Sequence, residues 1–217
     1  MNKINSFIIK LTLTIWGVGG YASMLCAQDV GVLSSKTHLV EVGKGYSQTS
    51  VNTTIFRKNS LVTHGDEQYI SYYDAEGFLI LGKRKLDSEQ WTLHRTQYKG
   101  NVKDAHNVIS MMVDGDGYIH VAFDHHGSCL SYCRSLRPYS LELGEKEPMT
   151  GEEEGDVTYP EFYLLSGGDL LFVYRSGSSG RGNLVMNHYY VKEKRWTRVQ
   201  DAVSYTHLRA HETLRHL

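Results

Sequence analysis

Apolar and polar positions alternate in short runs along most of this chain, and the runs repeat. Three segments align: SLVTHGDEQYISYYD (60–74), SMMVDGDGYIHVAFD (110–124) and FYLLSGGDLLFVYR (162–175). Each reads as an apolar strand, a turn rich in Gly and Asp, and a second strand of period two. The unit recurs about every 50 residues, the signature of a repeat architecture. A third apolar run follows each unit: FLILGKRKL, CLSYCRSL and NLVMNHYYV. Two of the three then reach a Trp-Thr pair, in QWTLHR and RWTRV, read as a fourth strand. Beyond the N-terminal segment, no stretch sustains a 3.6-residue apolar period. The pattern predicts an all-β chain, a β-propeller of four-stranded antiparallel blades with about three blades present. Three blades cannot close a ring and would leave strand edges unpaired. The expectation is therefore a chain truncated from a larger ring and, by itself, poorly stable and inactive.

The termini break this pattern. Residues 1–27 combine Lys3 and Lys10, a Gly-interrupted apolar run and a small-residue site ending at Ala27. That reads as an export signal, which predicts a periplasmic or secreted protein. The apolar run is too short for a membrane span. Leu25 just before Cys26 makes a lipoprotein signal the weaker reading. Residues 28–202 are assigned to the partial propeller. Residues 203–217, VSYTHLRAHETLRHL, resemble one reading frame of a transposase-type sequencing adapter. They are expected to be non-native, so His207, His211 and His216 are set aside as ligands.

Charge narrows the partners. With 23 basic and 24 acidic side chains and a net charge of −1, nothing favours nucleic acid. Fifteen tyrosines and 21 glycines suit strands, turns and sugar-stacking surfaces. Cys129 and Cys133 fall on one expected strand, i and i+4, roughly 13 Å apart and out of disulfide reach. They are read as two buried thiols, with a metal pair completed by ligands elsewhere as the alternative. The DGDG turn at 114–117 lacks the spaced ligands of a calcium loop and reads as a tight hairpin. The acidic run Glu152–Glu154 reads as a solvated loop.

Candidate chemistry follows from hairpin geometry. The start of one strand and the end of its antiparallel partner lie at the same end. His106 precedes one hairpin, and Asp124, His125 and His126 end it. One repeat later, Tyr159 and Arg175 occupy the matching positions, as Asp74 does one repeat earlier. A His and a Tyr can share proton transfer, and Arg with a His can hold a carboxylate. Together they match β-elimination on a uronic acid. Taken singly, each has a structural reading: a loop-capping His, an edge-pairing Arg, a packing Tyr before Pro160. The repeat that brings them to one rim is what favours a site. His120, between Ile119 and Val121, is read as structural, while His64 and His188 have no evident partner.

HNVISMMVDGDGYIHVAFDHHG, MTGEEEGDVTYPEFYLLSGGDLLFVYR and SGSSGRGNLVMN resemble the BNR-4 repeat family of bacterial β-propellers, over about residues 45–200. The resemblance implies a seven-bladed ring, of which this chain holds about the first half. It implies a secreted enzyme acting on an anionic polysaccharide. Ulvan lyases cleaving rhamnose–uronate chains lead. An α-L-rhamnosidase-like hydrolase of rhamnosyl-glucuronate linkages is one alternative, and a non-catalytic glycan-binding propeller another. An ordinary two-carboxylate hydrolase is disfavoured, because no convincing Asp/Glu pair stands in the repeats. Carried over by motif, Tyr159, His126 and His106 are catalytic candidates, with Tyr159 as acid/base and His126 as base or neutraliser. Arg175, His106, His125 and Asn107 are candidate substrate contacts. No cofactor and no metal ligand is assigned; any ion site of the relatives would fall in later blades.

Overall fold

The computed structural model describes residues 38–205, with side chains as far as Val199. The expected signal at 1–27 and His207, His211 and His216 lie outside the described residues. The fold lies in the unit that begins at Leu39.

The repeated pattern folds as antiparallel sheets. β1 (Leu61–His64), β2 (Glu67–Tyr73), β3 (Phe78–Lys85) and β4 (Thr92–Lys99) form a four-stranded sheet in chain order. β5 (Ser110–Val113), β6 (Ile119–Ala122) and β8 (Tyr132–Arg134) form a second, of three strands. β9 (Val157–Leu164), β10 (Leu170–Ser176), β11 (Gly182–Tyr190) and β12 (Arg195–Tyr205) form a third, to which β7 (His126–Ser128) adds a fifth strand beside β9. Each aligned repeat is thus one hairpin: β1–β2, β5–β6 and β9–β10. Among the described residues there is no α-helix, and a single 3-10 turn, Ser166–Gly168, connects β9 to β10.

Uniform four-stranded blades are not what the strands form: the sheets have four, three and five. After β8 the chain enters the long loop around Pro138 and Pro148 and makes no fourth strand there; only an isolated Ser135–Leu143 bridge marks the place. β12 also runs past Ala202, pairing Val203 with Leu184 and Tyr205 with Gly182.

The second sheet is buried on both faces, and period two sorts its residues. Ile119, Val121 and Phe123 join a core with Tyr69, Tyr73, Leu79 and Leu81 of the first sheet. Ala122 of the same segment, with Tyr132, joins Phe162, Phe172, Tyr189 and Trp196 of the third. Each such apolar side chain contributes about 1.5–3 kcal/mol of burial. His120 alternates onto the third-sheet side, beside Phe162, Tyr189 and Trp196. A buried imidazole must find partners there, and His120 does. Its Nδ1 lies 2.7 Å from the Tyr132 hydroxyl and its Nε2 3.1 Å from Asp114 Oδ2. Trp196 Nε1 donates to the same tyrosine oxygen at 3.1 Å. The structural reading of His120 holds.

The DGDG segment is a tight turn: Asp114 Oδ1 accepts from the amides of Asp116 and Tyr118. It docks on the Gly167–Gly168 turn of the next hairpin, where the Gly115 amide donates to the Gly168 carbonyl at 2.8 Å. A Cβ on Gly168 would stand 2.4 Å from the Gly115 Cα, so this close approach requires glycine.

Other expectations are corrected. Cys129 and Cys133 do not share a strand: Cys129 is exposed beyond the end of β7, and Cys133 lies in β8. Both are free, and burial pushes the Cys133 thiol up to about 12. The acidic run is not merely solvated. Glu154 accepts the amides of Thr150 and Gly151, and Glu153 accepts the Ser176 hydroxyl. His188 has a partner after all, with Nε2 2.9 Å from Asp169 Oδ2. His64 lies tilted against Tyr139, with ring centroids 5.9 Å apart.

Candidate functional site

After the second hairpin the chain joins the third sheet, where β7 pairs with β9. His126, the first residue of β7, lies opposite Thr158, and the Gly127 amide donates to the Thr158 hydroxyl at 2.8 Å. That pairing sets a residue following the second hairpin beside Tyr159 of the third. Tyr159 itself stands at a register shift between β9 and β10, with φ of 54°. A bulky residue in the left-handed region costs on the order of 1–3 kcal/mol and persists where the surroundings hold it. Bulges of this kind re-aim a side chain. Pro160 follows, and its missing N–H suits an interrupted ladder.

His106 does not start a strand; β5 begins at Ser110. The reason is local. Asp104 Oδ1 accepts the His106 amide at 2.9 Å, which turns the chain before the strand begins. The same oxygen lies 2.7 Å from His106 Nδ1, and Asp104 Oδ2 lies 2.5 Å from His126 Nδ1. One carboxylate therefore holds two imidazoles, which stack with centroids 4.3 Å apart. Both rings are partly exposed, at 36% and 40%. Among the described residues, neither Nε2 has a protein hydrogen-bond partner. Phe56 packs against His106 at 4.9 Å and Tyr159 at 5.2 Å, bracing both rings from the N-terminal side. Arg175, on β10, lies with its Cζ 5.2 Å from the centre of the Tyr159 ring. Its Nε donates to the Gly177 carbonyl at 3.0 Å. A cleft of about 260 Å³ adjoins Tyr159 and Arg175, with Glu161, Tyr163 and Asn183 on its walls.

The electrostatics assign protons. Burial opposes the charge on Asp104, but the His106 amide and the two imidazoles outweigh it and hold the carboxyl below its usual range. Asp104 is thus an anion at neutral pH. Burial raises the Tyr159 phenol; Arg175 opposes the shift and Asp104 reinforces it. Tyr159 keeps its proton and is a donor.

The sequence-selected residues divide. His106, His126, Tyr159 and Arg175 come together. His125 does not: it is fully buried, and its Nε2 accepts the Ser131 amide at 2.7 Å. Burial, with Lys146 nearby, pushes its imidazole down to about 3. Asn107 is likewise buried, donating to the Asn101 carbonyl at 2.9 Å. Neither side chain faces a ligand approaching from solvent. Asp74 accepts from the Glu76 and Phe78 amides and pairs with Arg95, which makes it a turn residue. Asp104 and Phe56 were not selected from the sequence. The Asp-x-His spacing is a signal that could have found Asp104; Phe56 carries none.

Asp104, His106 and His126 are also residues of metal-ligand type, with ligating atoms within 4.8 Å of one another. Their N···O separations of 2.5 and 2.7 Å are those of direct hydrogen bonds. Donors around a tetrahedral zinc would stand ~3.3 Å apart. The geometry is that of a hydrogen-bonded cluster.

A family model described as "BNR repeat-containing family member" matches residues 67–212. Among solved structures the chain is similar to polysaccharide lyase Uly1, at 16% identity and a TM-score of 0.60, over 76% of this chain and 45% of that one. It is similar also to a PL25 ulvan lyase, at 19% identity and a TM-score of 0.57, over 76% of this chain and 39% of that one. A second structure under the same family heading, bound to -[GlcA(1-4)Rha3S]-, matches at 18% identity with the same TM-score and coverage. Likeness at this identity shows the fold. The chain spans less than half the length of these solved proteins. No curated protein matches its sequence.

Proposed function

Because this chain belongs to the BNR repeat-containing family, we propose that its sheets are blades of a β-propeller and that the intact protein is an exported lyase. Its substrate is a polysaccharide containing uronic acid, of the rhamnose–glucuronate kind, cleaved by β-elimination. Stacking of the second sheet between the first and third supports the propeller reading. The single observation that carries the chemistry is the convergence of four residues: His106 and His126 share Asp104, Tyr159 lies beside His106, and Arg175 lies beside Tyr159.

The step follows from the groups present. Arg175 and an imidazole N–H neutralise the uronate carboxylate, which acidifies the C5 proton. An unprotonated imidazole Nε2, on His126 in this assignment, removes that proton. The electron pair forms the C4=C5 double bond, and the bond from C4 to the glycosidic oxygen breaks. The Tyr159 phenol, kept protonated by burial, gives its proton to the leaving oxygen. His106 contacts the carboxylate. The test is ultraviolet absorbance on incubating the gene product, recovered from source DNA, with ulvan. A rising trace marks the conjugated product. New reducing ends without absorbance would replace this reading with hydrolysis, and no cleavage would leave glycan binding.

A further inference from the structure

Asp104 touches no position assigned to substrate, yet it is hydrogen-bonded to both candidate histidines. We infer that Asp104 is a positioning residue that fixes the tautomer of His106 and His126 together. As an anion, the carboxylate can only accept. Each Nδ1 in contact with it must then carry the hydrogen, and in a neutral ring the lone pair is left on Nε2. Both rings are turned the same way by one group: Oδ1 serves His106 and Oδ2 serves His126. The Asp104 carboxylate is itself oriented by the His106 amide. The stacked rings present their Nε2 atoms as a matched pair, each able to accept a proton or, once protonated, to donate to a carboxylate. The buried Asp114–His120 pair does not do this, because His120 has both nitrogens occupied.

The consequence for catalysis rests on the lyase reading; the tautomer assignment does not. Asp104→Asn is the discriminating change. An amide offers one oxygen acceptor and one N–H donor at nearly the same positions. Only one imidazole can then keep its Nδ1–H, and the other must move its hydrogen to Nε2. Nitrogen NMR of labelled histidines in this chain reads the outcome directly, with His106→Gln and His126→Gln variants to identify the signals. The expected result is Nδ1–H at both rings in the wild type, and loss of that form at one ring in Asp104→Asn, with the His120 signal unchanged as a control for folding. Both rings unchanged in the variant would overturn the inference, as would an Nε2–H form at either ring in the wild type. In the intact protein kcat should fall about 10²-fold with KM within a few-fold. A tautomer change with no loss of elimination would leave the tautomer assignment standing and sink the catalytic roles given to His106 and His126, whereas no elimination by the wild type would sink the lyase reading alone. Loss confined to KM would overturn positioning as the route to catalysis.

Discussion

Two arrangements of Asp, His and Tyr occur in this molecule, and they do opposite things. Asp114, His120 and Tyr132 are fully or almost fully buried, and both ring nitrogens of His120 are used. Burial lowers the His120 pKa, although Asp114 works against that shift. The network is closed, and what it does is let a polar residue sit between two sheets. Asp104, His106, His126 and Tyr159 have the same residue types at the surface, and there, among the described residues, both Nε2 atoms are left open. Residue type does not separate a site from a core network. Unused hydrogen-bonding capacity at the surface, beside a tyrosine and an arginine that line a cleft, does.

Breaking each arrangement should therefore give opposite phenotypes. In the intact protein, Tyr159→Phe should lower kcat for elimination by roughly 10²–10⁴-fold, with the thermal midpoint shifted little, as rate assays and melting curves would show. His120→Ala should unfold readily. It leaves Asp114 Oδ2 and the Tyr132 hydroxyl without their imidazole partner in the core, a loss on the order of 1–3 kcal/mol measurable by denaturant titration. Whatever fraction of that variant stays folded should retain wild-type KM.

Acid sharpens the comparison. His125 is buried neutral, with its pKa down at about 3. Between its unfolded value of about 6.5 and about 3, the unfolded chain binds a proton that the native chain does not. Stability must then rise with pH across that window. On acidification it should fall by an amount on the order of 4 kcal/mol from this residue, with His120 acting in the same direction. Asp104, whose pKa is lowered in the fold, adds a further loss only below the ordinary Asp range. Urea midpoints at stepped pH from 7 to 4 should fall steadily, and a flat profile would contradict the burial of His125.

Smaller effects are expected at the margins of the open cluster. Arg175→Ala removes a charged contact to the uronate and should raise KM about 10- to 100-fold, more than it lowers kcat. Phe56→Leu loosens the ring that braces His106 and Tyr159 and should reduce kcat a few-fold, with binding nearly unchanged.

Much of this comparison was legible in the sequence, because strands repeat with period two and the hairpins recur. β1–β2, β5–β6 and β9–β10 fall on the three aligned segments. Hairpin geometry points His126, Tyr159 and Arg175 to one end of their strands, whereas His106 reaches the same place from a turn ahead of β5. Neighbours in sequence misled: His125 and Asn107 adjoin the site residues but are buried, their polar atoms used by the Ser131 amide and the Asn101 carbonyl. The β7–β9 pairing was not readable, since three residues, HGS, carry no pattern. Nor was the contact of Phe56 with Tyr159, which joins segments more than a hundred residues apart.

The central claim is that the open cluster is the chemical site and the closed one is not. Its most direct test is the ultraviolet trace of the intact protein on ulvan, run side by side for wild type, Tyr159→Phe and His126→Ala at matched folded fractions. The account predicts a rising trace for wild type and near-flat traces for both variants, with normal melting curves. Variants that cleave as fast as wild type would contradict it.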